Sequence, residues 1–101
     1  MAKIKWSKDA FESLKDIYDN IAKDSKQYAQ LFCERILELV EHLEFFPEIG
    51  KSVPESNNEN VREIIFKNYR IIYQVYEDYL EILLIIHGSR LINFTYEDRD
   101  N

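Results

Sequence analysis

The chain has 101 residues, in which 13 Lys and Arg stand against 19 Asp and Glu for a net charge of −6. This length predicts a single domain, residues 1–101, which folds without metals or disulfides, and the 46% hydrophobic and 14% aromatic content excludes a disordered chain. The acidic balance predicts weak or absent direct nucleic-acid binding, because non-specific affinity comes from Lys and Arg neutralising phosphates.

A membrane-bound or disulfide-linked protein is not expected. The longest uninterrupted apolar run, residues 82–86, is far too short to span a bilayer, and the charged N-terminus lacks the apolar core of a signal peptide. We therefore expect a soluble, cytoplasmic protein without membrane contact. The single cysteine, Cys33, excludes an internal disulfide, and its place in an apolar helical pattern predicts a small core residue.

The N-terminal residues predict a short strand that runs directly into a helix. Residues 4–6 alternate in polarity and are followed by Ser7, a residue type that often caps helix N-termini. Apolar residues then recur at helical spacing and predict a first helix over residues 8–22. This predicted stripe comprises Ala10, Phe11, Leu14, Ile17, Tyr18 and Ile21.

A second helix is predicted over residues 25–45. Asp24 and Gln27 have the spacing of a capping box, and Pro47 forbids continuation. Its predicted apolar face comprises Tyr28, Leu31, Phe32, Leu39, Val40 and Leu43. Because only two or three residues separate the helices, they should pack as an antiparallel hairpin against a sheet.

Three glutamates lie along one face of the second predicted helix. Glu34, Glu38 and Glu41 are spaced i, i+4 and i+7. A solvated stripe is the expected explanation, since glutamates without a helical histidine partner rarely bind a structural metal. We therefore predict no metal site and no cofactor.

The second half of the chain predicts a polar loop followed by a three-stranded meander. Residues 47–60 are polar and form a longer connection than most compact domains use, which indicates a mobile segment or a binding surface. Three β-rich runs follow, 61–66, 69–76 and 79–87, joined by two-residue links. The third run is apolar on both faces, which predicts a central strand covered on one side by the helices and on the other by the C-terminal tail or a partner.

Three arginines, Arg62, Arg70 and Arg90, are spread along this predicted sheet. Alternation in the middle strand places Arg70 on the face away from the predicted core. Arginine presents a planar, permanently charged fork that suits phosphate or carboxylate, so these residues are candidates for contact with an anion or a partner. The alternative is that they only solvate the wet face of an antiparallel sheet.

Short motifs in the chain resemble the RelE/ParE superfamily of bacterial toxins. The fragments are Trp6-Ser7, Phe46-Pro47, Gly50, Val61-Arg62-Glu63, Tyr69-Arg70-Ile71-Ile72-Tyr73 and His87-Gly88-Ser89-Arg90, in the order and approximate spacing of the family. The resemblance implies an α+β fold of order β-α-α-β-β-β. It also implies the toxin of a type II toxin–antitoxin pair, of the kind associated with plasmid stabilisation, whose cognate antitoxin folds on the toxin surface.

Two branches of this superfamily differ in chemistry. RelE-like members cut messenger RNA on the ribosome, and here Arg62, Arg70 and Arg90 would supply cations while His87 or Tyr96 would act as acid or base. ParE-like members act on DNA gyrase without cutting RNA. Only two lysines follow residue 26, and the net charge opposes ribosomal RNA. We therefore expect the ParE-like branch, with Arg62, Arg70 and Arg90 as target-binding residues.

Two alternatives stay open: the ribosome-dependent endonuclease, and a binding module that has the toxin fold without toxicity. Residues 95–101 are expected to form a flexible tail. The acidic stripe of the second helix further predicts an antitoxin segment with apolar anchors and with Lys or Arg opposite that helix, its own acidic residues being directed at the three arginines.

Overall fold

The computed structural model describes residues 2–92, so Tyr96 and the predicted tail 95–101 lie outside the described residues. The elements are β1 (Lys3–Trp6), α1 (Lys8–Ala22), α2 (Lys26–His42), β2 (Lys51–Ser52), β3 (Val61–Phe66), β4 (Tyr69–Val75) and β5 (Tyr79–His87). In this part of the chain, no helix is long and apolar enough to cross a membrane.

One five-stranded sheet has the order β1-β5-β4-β3-β2. Strand β1 is parallel to β5, and the other pairs are antiparallel. The helical hairpin carries the chain from β1 at one edge to β2 at the other, and the meander β3-β4-β5 returns it beside β1. This arrangement confirms the predicted α+β fold and the interior position of β5. The short strand β2 was not predicted, because it lies inside the polar segment 47–60.

The first helix begins and ends where the sequence predicts. Its N-cap is Ser7, whose Oγ accepts a hydrogen bond from the Ala10 amide at 2.9 Å and donates one to the Leu83 carbonyl at 2.8 Å. The hydroxyl therefore satisfies a free amide of the helix and also fastens the helix start to β5.

Both ends of the second helix differ from the prediction. Its N-cap is Ser25 rather than Asp24, since the extended backbone of Ser25 lets its Oγ accept from the Tyr28 amide at 3.1 Å. The helix ends at His42 rather than at residue 45. Beyond that point the amides of Leu43 and Glu44 donate to carbonyls three residues earlier, so the chain tightens into a turn before the proline.

The main core lies between the helical hairpin and the sheet. Its buried members are Ala10, Ile17, Phe32, Ile36, Val40, Leu43, Ile71, Tyr73, Leu80, Ile82 and Ile85. The predicted apolar face of α2 differs from the buried one. Tyr28 and Leu31 were placed on it but are 50% and 47% exposed, whereas Ala29 and Ile36, which were not placed on it, are fully buried. The buried side of α2 is thus rotated away from the predicted stripe, and Phe11 and Tyr18 likewise lie at the exposed margin of α1. Cys33 is half-buried against this core rather than inside it.

A smaller apolar cluster covers the opposite face of the sheet. Val53, Val61, Ile72 and Leu83 are buried in it, with Ile92 packed alongside. Leu84 lies opposite Ile72 while Ile82 lies opposite Tyr73, so Leu83 is the extra residue of a β-bulge in β5. The cover of this face, predicted to come from the C-terminal tail or a partner, thus includes Val53 of the 47–60 segment and Ile92, which lies beyond the end of β5.

Candidate functional site

Arg70 lies on the sheet face away from the helices, as predicted, but it is buried rather than wet. Its residue exposure is 6%, and two carboxylates flank its guanidinium. Nε donates to Glu63 Oε1 at 2.7 Å, and the two terminal nitrogens donate to the two oxygens of Glu55, each at 2.8 Å. We call Glu55, Glu63 and Arg70 the Arg70 clasp.

Strand pairing explains half of the Arg70 clasp. Glu63 in β3 is opposite Ile72, and Arg70 in β4 is opposite Ile65, so Glu63 and Arg70 are diagonal neighbours on one face. Glu55 comes from the segment between β2 and β3 and meets the guanidinium in the bidentate geometry that gives the strongest charge-assisted pairs.

The charges of the clasp are mutually stabilised. The hydrogen bonds from Arg70 lower the pKa of Glu55 from 4.5 to about 2 against the opposing effect of burial. In turn, the hydrogen bond to Glu55 contributes most to raising the pKa of Arg70. With these groups charged and paired, the guanidinium of Arg70 is committed to partners within the protein.

Arg62 fastens a different part of the same segment. Its NH1 donates to the carbonyls of Glu48 at 3.2 Å and Gly50 at 2.9 Å. Beside it, the buried Tyr73 hydroxyl donates to the Pro47 carbonyl at 2.8 Å and accepts from the Gly50 amide at 2.9 Å. Burial raises the pKa of Tyr73. A side chain at Gly50 would place its Cβ 2.5 Å from the Tyr73 hydroxyl, so this close approach requires glycine.

Arg90 is exposed, and it is one of the residues that line a groove between α1 and β5. The groove has a volume of about 350 Å³, and its lining combines polar residues of α1, Tyr69 and His87 with apolar residues of α1 and β5. His87 is also exposed, and its Nδ1 lies 2.9 Å from Ser89 Oγ. The carbonyl of Arg90, by contrast, accepts a hydrogen bond from Arg70 NH1 at 3.1 Å.

Of the predicted nuclease residues, the structure brings His87 and Arg90 into one groove but places Arg62 and Arg70 elsewhere. His87 pairs with Tyr69, whose ring contacts Phe32 of α2, so both lie on the helix face of the sheet, whereas Arg70 lies on the opposite face. Arg62 is at the other end of β3 from the Tyr69–His87 pair. Tyr96 is outside the described residues. Among residues 2–92, no group of three His, Cys, Asp or Glu could hold a metal ion.

Sequence reasoning missed Glu55. Glu55 lies in a loop without periodicity, so the sequence does not show which way its side chain points. Its partner, Arg70, lies in β4, and the whole of β3 separates the two residues in the sequence. The Glu63–Arg70 pair could have been found, because hairpin register with a two-residue turn makes these residues diagonal neighbours.

An apolar groove separates α2 from the outer strands of the sheet. We call this surface the α2–β3 groove; it has a volume of about 420 Å³ and is lined by Leu39, His42, Leu43, Ile49, Lys51, Glu63, Ile64 and Ile65. Ile49 and Ile65 are 65% and 51% exposed, and the exposed rings of Phe45 and Phe46 follow α2 nearby in the chain. Within the described part of the chain, β3 pairs with β2 only at Arg62 and Glu63, so the rest of β3 is an edge of the sheet.

The sequence matches a family model across almost all of the described residues. Residues 4–92 match the ParE toxin of the type II toxin–antitoxin system parDE. The chain therefore belongs to the ParE toxin family of type II toxin–antitoxin systems, within the superfamily that its motifs resemble. No curated protein matches the chain significantly.

Solved structures show the same fold. A chain of the chromosomal ParDE toxin–antitoxin system from P. aeruginosa has a TM-score of 0.74 and 24% identity, with 88% of this chain and 98% of that chain covered. The YoeB dimer from Staphylococcus aureus has a TM-score of 0.56 and 21% identity, with 82% and 92% covered. At these identities the similarity establishes the fold, and the choice of cellular target has to come from elsewhere.

Proposed function

We propose that this ParE-family toxin inhibits growth through DNA gyrase, without cutting RNA, and that a cognate antitoxin neutralises it. The observation that carries the proposal is the ParE family match over residues 4–92. The geometry favours the same branch, since Arg62 and Arg70 are committed to partners in the protein and Arg70 lies on the sheet face opposite His87. In-line RNA cleavage requires cations and an acid–base pair around one phosphate.

The three arginines have different roles in this proposal. Arg90 contacts the target, because it is exposed and lines a groove on the surface. Arg62 and Arg70 support the contact surface from behind by holding the 47–60 segment against the sheet. Replacing Arg62 or Arg70 would then impair folding together with toxicity, whereas replacing Arg90 would impair toxicity alone.

The antitoxin binds at the α2–β3 groove in this proposal. The groove offers Ile49 and Ile65 as exposed apolar anchoring points, and burial of such surface is the main source of affinity for a segment that folds on binding. Glu34, Glu38 and Glu41 are exposed along α2, so Lys or Arg of the antitoxin would lie opposite them.

Induced expression in a bacterial host tests this function. The wild-type toxin should stop growth and alter plasmid supercoiling before translation falls, and co-expression of the antitoxin should restore growth. Arg90→Ala should reduce the inhibition at least tenfold at equal protein level, while Arg35→Ala, an exposed arginine on α2, should remain toxic.

Each other outcome selects an alternative. Cleaved messenger RNA with unchanged supercoiling would contradict the gyrase target and favour the ribosome-dependent nuclease. Normal growth with soluble, folded protein would favour a binding module without toxicity.

A further inference from the structure

Three separate parts of the chain meet at the guanidinium of Arg70. Glu63 belongs to the sheet, Glu55 to the segment that precedes β3, and the carbonyl of Arg90 to the chain that has just left β5. Four hydrogen bonds from one guanidinium, which has five N–H donors, join these parts. Arg70 is therefore the common partner of two segments that are distant in sequence.

Glu55 holds the same C-terminal stretch directly. Besides accepting from Arg70, its Oε2 accepts a hydrogen bond from the Ile92 amide at 3.3 Å. The backbone is thus held at residue 90 through Arg70 and at residue 92 through Glu55. The Arg90 amide also donates to the His87 carbonyl at 3.1 Å, which turns the chain at the end of β5.

The side chain between these fixed points is the exposed arginine. The Arg90 backbone is fixed on both sides while its guanidinium faces solvent, so the clasp determines where on the surface this charge is presented. A fixed cation contacts an anionic group with less loss of conformational freedom than a mobile one.

We propose that Glu55 is a positioning residue, which, through Arg70 and the Ile92 amide, holds residues 90–92 so that Arg90 is presented to the target of the toxin. The role in toxicity rests on the proposed function, whereas the role in holding residues 90–92 rests on the geometry alone. Glu55 itself does not contact the target.

The chemistry of the clasp requires a carboxylate of this length. Glutamine has nearly the same shape but is uncharged and carries an NH2 donor in place of one acceptor oxygen, so Glu55→Gln cannot reproduce the pairing of two oxygens with the two terminal nitrogens of Arg70. Aspartate keeps the charge but is one methylene shorter. Glu55→Gln is therefore the informative variant, and Glu59→Gln, an exposed glutamate of the same segment, is its matched control.

Amide hydrogen exchange tests the structural half of the proposal. In Glu55→Gln, the Ile92 amide should exchange at least tenfold faster than in the wild type, while amides in α1 and in the β3–β4 pair keep their protection. Glu59→Gln should exchange like the wild type. Unchanged exchange at Ile92 in Glu55→Gln would overturn the proposal, as would a uniform acceleration across the whole chain.

A double-mutant cycle in the growth assay tests the functional half. Glu55→Gln alone should weaken inhibition at least tenfold at equal level of folded protein, and Glu55→Gln combined with Arg90→Ala should be no weaker than Arg90→Ala alone. Losses that multiply would show that Glu55 acts independently of Arg90 and would overturn the proposal.

The two measurements separate the sources of failure. If Arg90→Ala is as toxic as the wild type, Arg90 does not contact the target, and the role of Glu55 in toxicity is wrong as well. Fast exchange of the Ile92 amide in Glu55→Gln would then show that Glu55 still holds residues 90–92 and that only the proposed contact of Arg90 is wrong. The growth readout does not depend on whether gyrase is the target.

Discussion

The two faces of the sheet are held by different forces. Among residues 2–92, eleven buried apolar residues form the cluster between the helices and the sheet, whereas four form the cluster on the other face. The second face instead relies on the Arg70 clasp, which ties Glu55 and Glu63 to Arg70. Apolar packing thus builds the domain, and a few directional polar contacts place the segments that border Arg90.

The largest expected effect is on the polar face. Arg70→Ala removes the guanidinium from the largely buried Glu55 and leaves the buried Glu63 with only the exposed Lys51 ammonium at 3.8 Å, which should destabilise the protein by about 3–5 kcal/mol. Urea denaturation at pH 7 measures this loss. Arg35→Ala, which removes an exposed arginine, should change stability by less than about 0.5 kcal/mol. A loss below about 1 kcal/mol for Arg70→Ala would show that water replaces the lost pairing and that the clasp is not a structural unit.

A matched change on the apolar face tests the other half of the comparison. Ile36 is fully buried in the middle of α2, and Ile36→Ala should cost about 2–4 kcal/mol through lost burial and the cavity left behind. The adjacent Leu37 is 41% exposed, so Leu37→Ala should cost much less. Equal losses for the two variants, measured by urea denaturation, would contradict the assignment of the buried side of α2.

Acid should distinguish the faces further. The folded-state pKa of Glu55 is lowered from 4.5 to about 2, so its contribution to stability is complete above about pH 5 and is lost as the pH falls from about 4.5 to about 2. Arg70 stays protonated throughout, and the other carboxylate that faces it is Glu63.

The expected result is a stability difference between wild type and Glu55→Gln that is constant from pH 5 to 7 and shrinks towards pH 2. Urea midpoints at several pH values measure it, and Glu59→Gln is the control for general acid effects. A difference that grows on acidification would contradict the sign of this linkage.

The smallest expected effect concerns the turn between β3 and β4, which lies at the end of the sheet and outside the packing of either face. Lys67 has φ 55°, a left-handed conformation that favours glycine. Lys67→Gly should therefore stabilise the protein by about 0.5 kcal/mol, while Asn68→Gly, at the next position, should not. Thermal denaturation of both variants checks the direction, and a loss of stability in Lys67→Gly would show that the side chain of Lys67 contributes more than the backbone strain costs.

The apolar face could largely be predicted from the sequence, because periodicity reports burial. Helix α1 and strands β3 and β5 have their predicted bounds, and β4 ends one residue early. The errors in α2 arose because Tyr28 and Leu31 are apolar in character but lie at the margin of a narrow buried stripe, while Ala29 is too small to mark it.

The polar face could be predicted only in part. Alternation places Arg70 on the correct side of β4, but it does not reveal that the 47–60 segment covers that side or that Glu55 meets the guanidinium. A contact between an irregular segment and a strand depends on the path of the chain through space, and no local pattern encodes it. Glu55 and the short strand β2 were missed for this reason.

The most direct test of the proposed function is a supercoiling assay with purified toxin and DNA gyrase, run beside a translation reaction that reports cleavage of ribosome-bound message. The account predicts that the wild-type toxin inhibits gyrase and leaves the message intact, and that Arg90→Ala loses at least tenfold in inhibition while Arg35→Ala retains it. Cleaved message with unaffected gyrase would contradict the account.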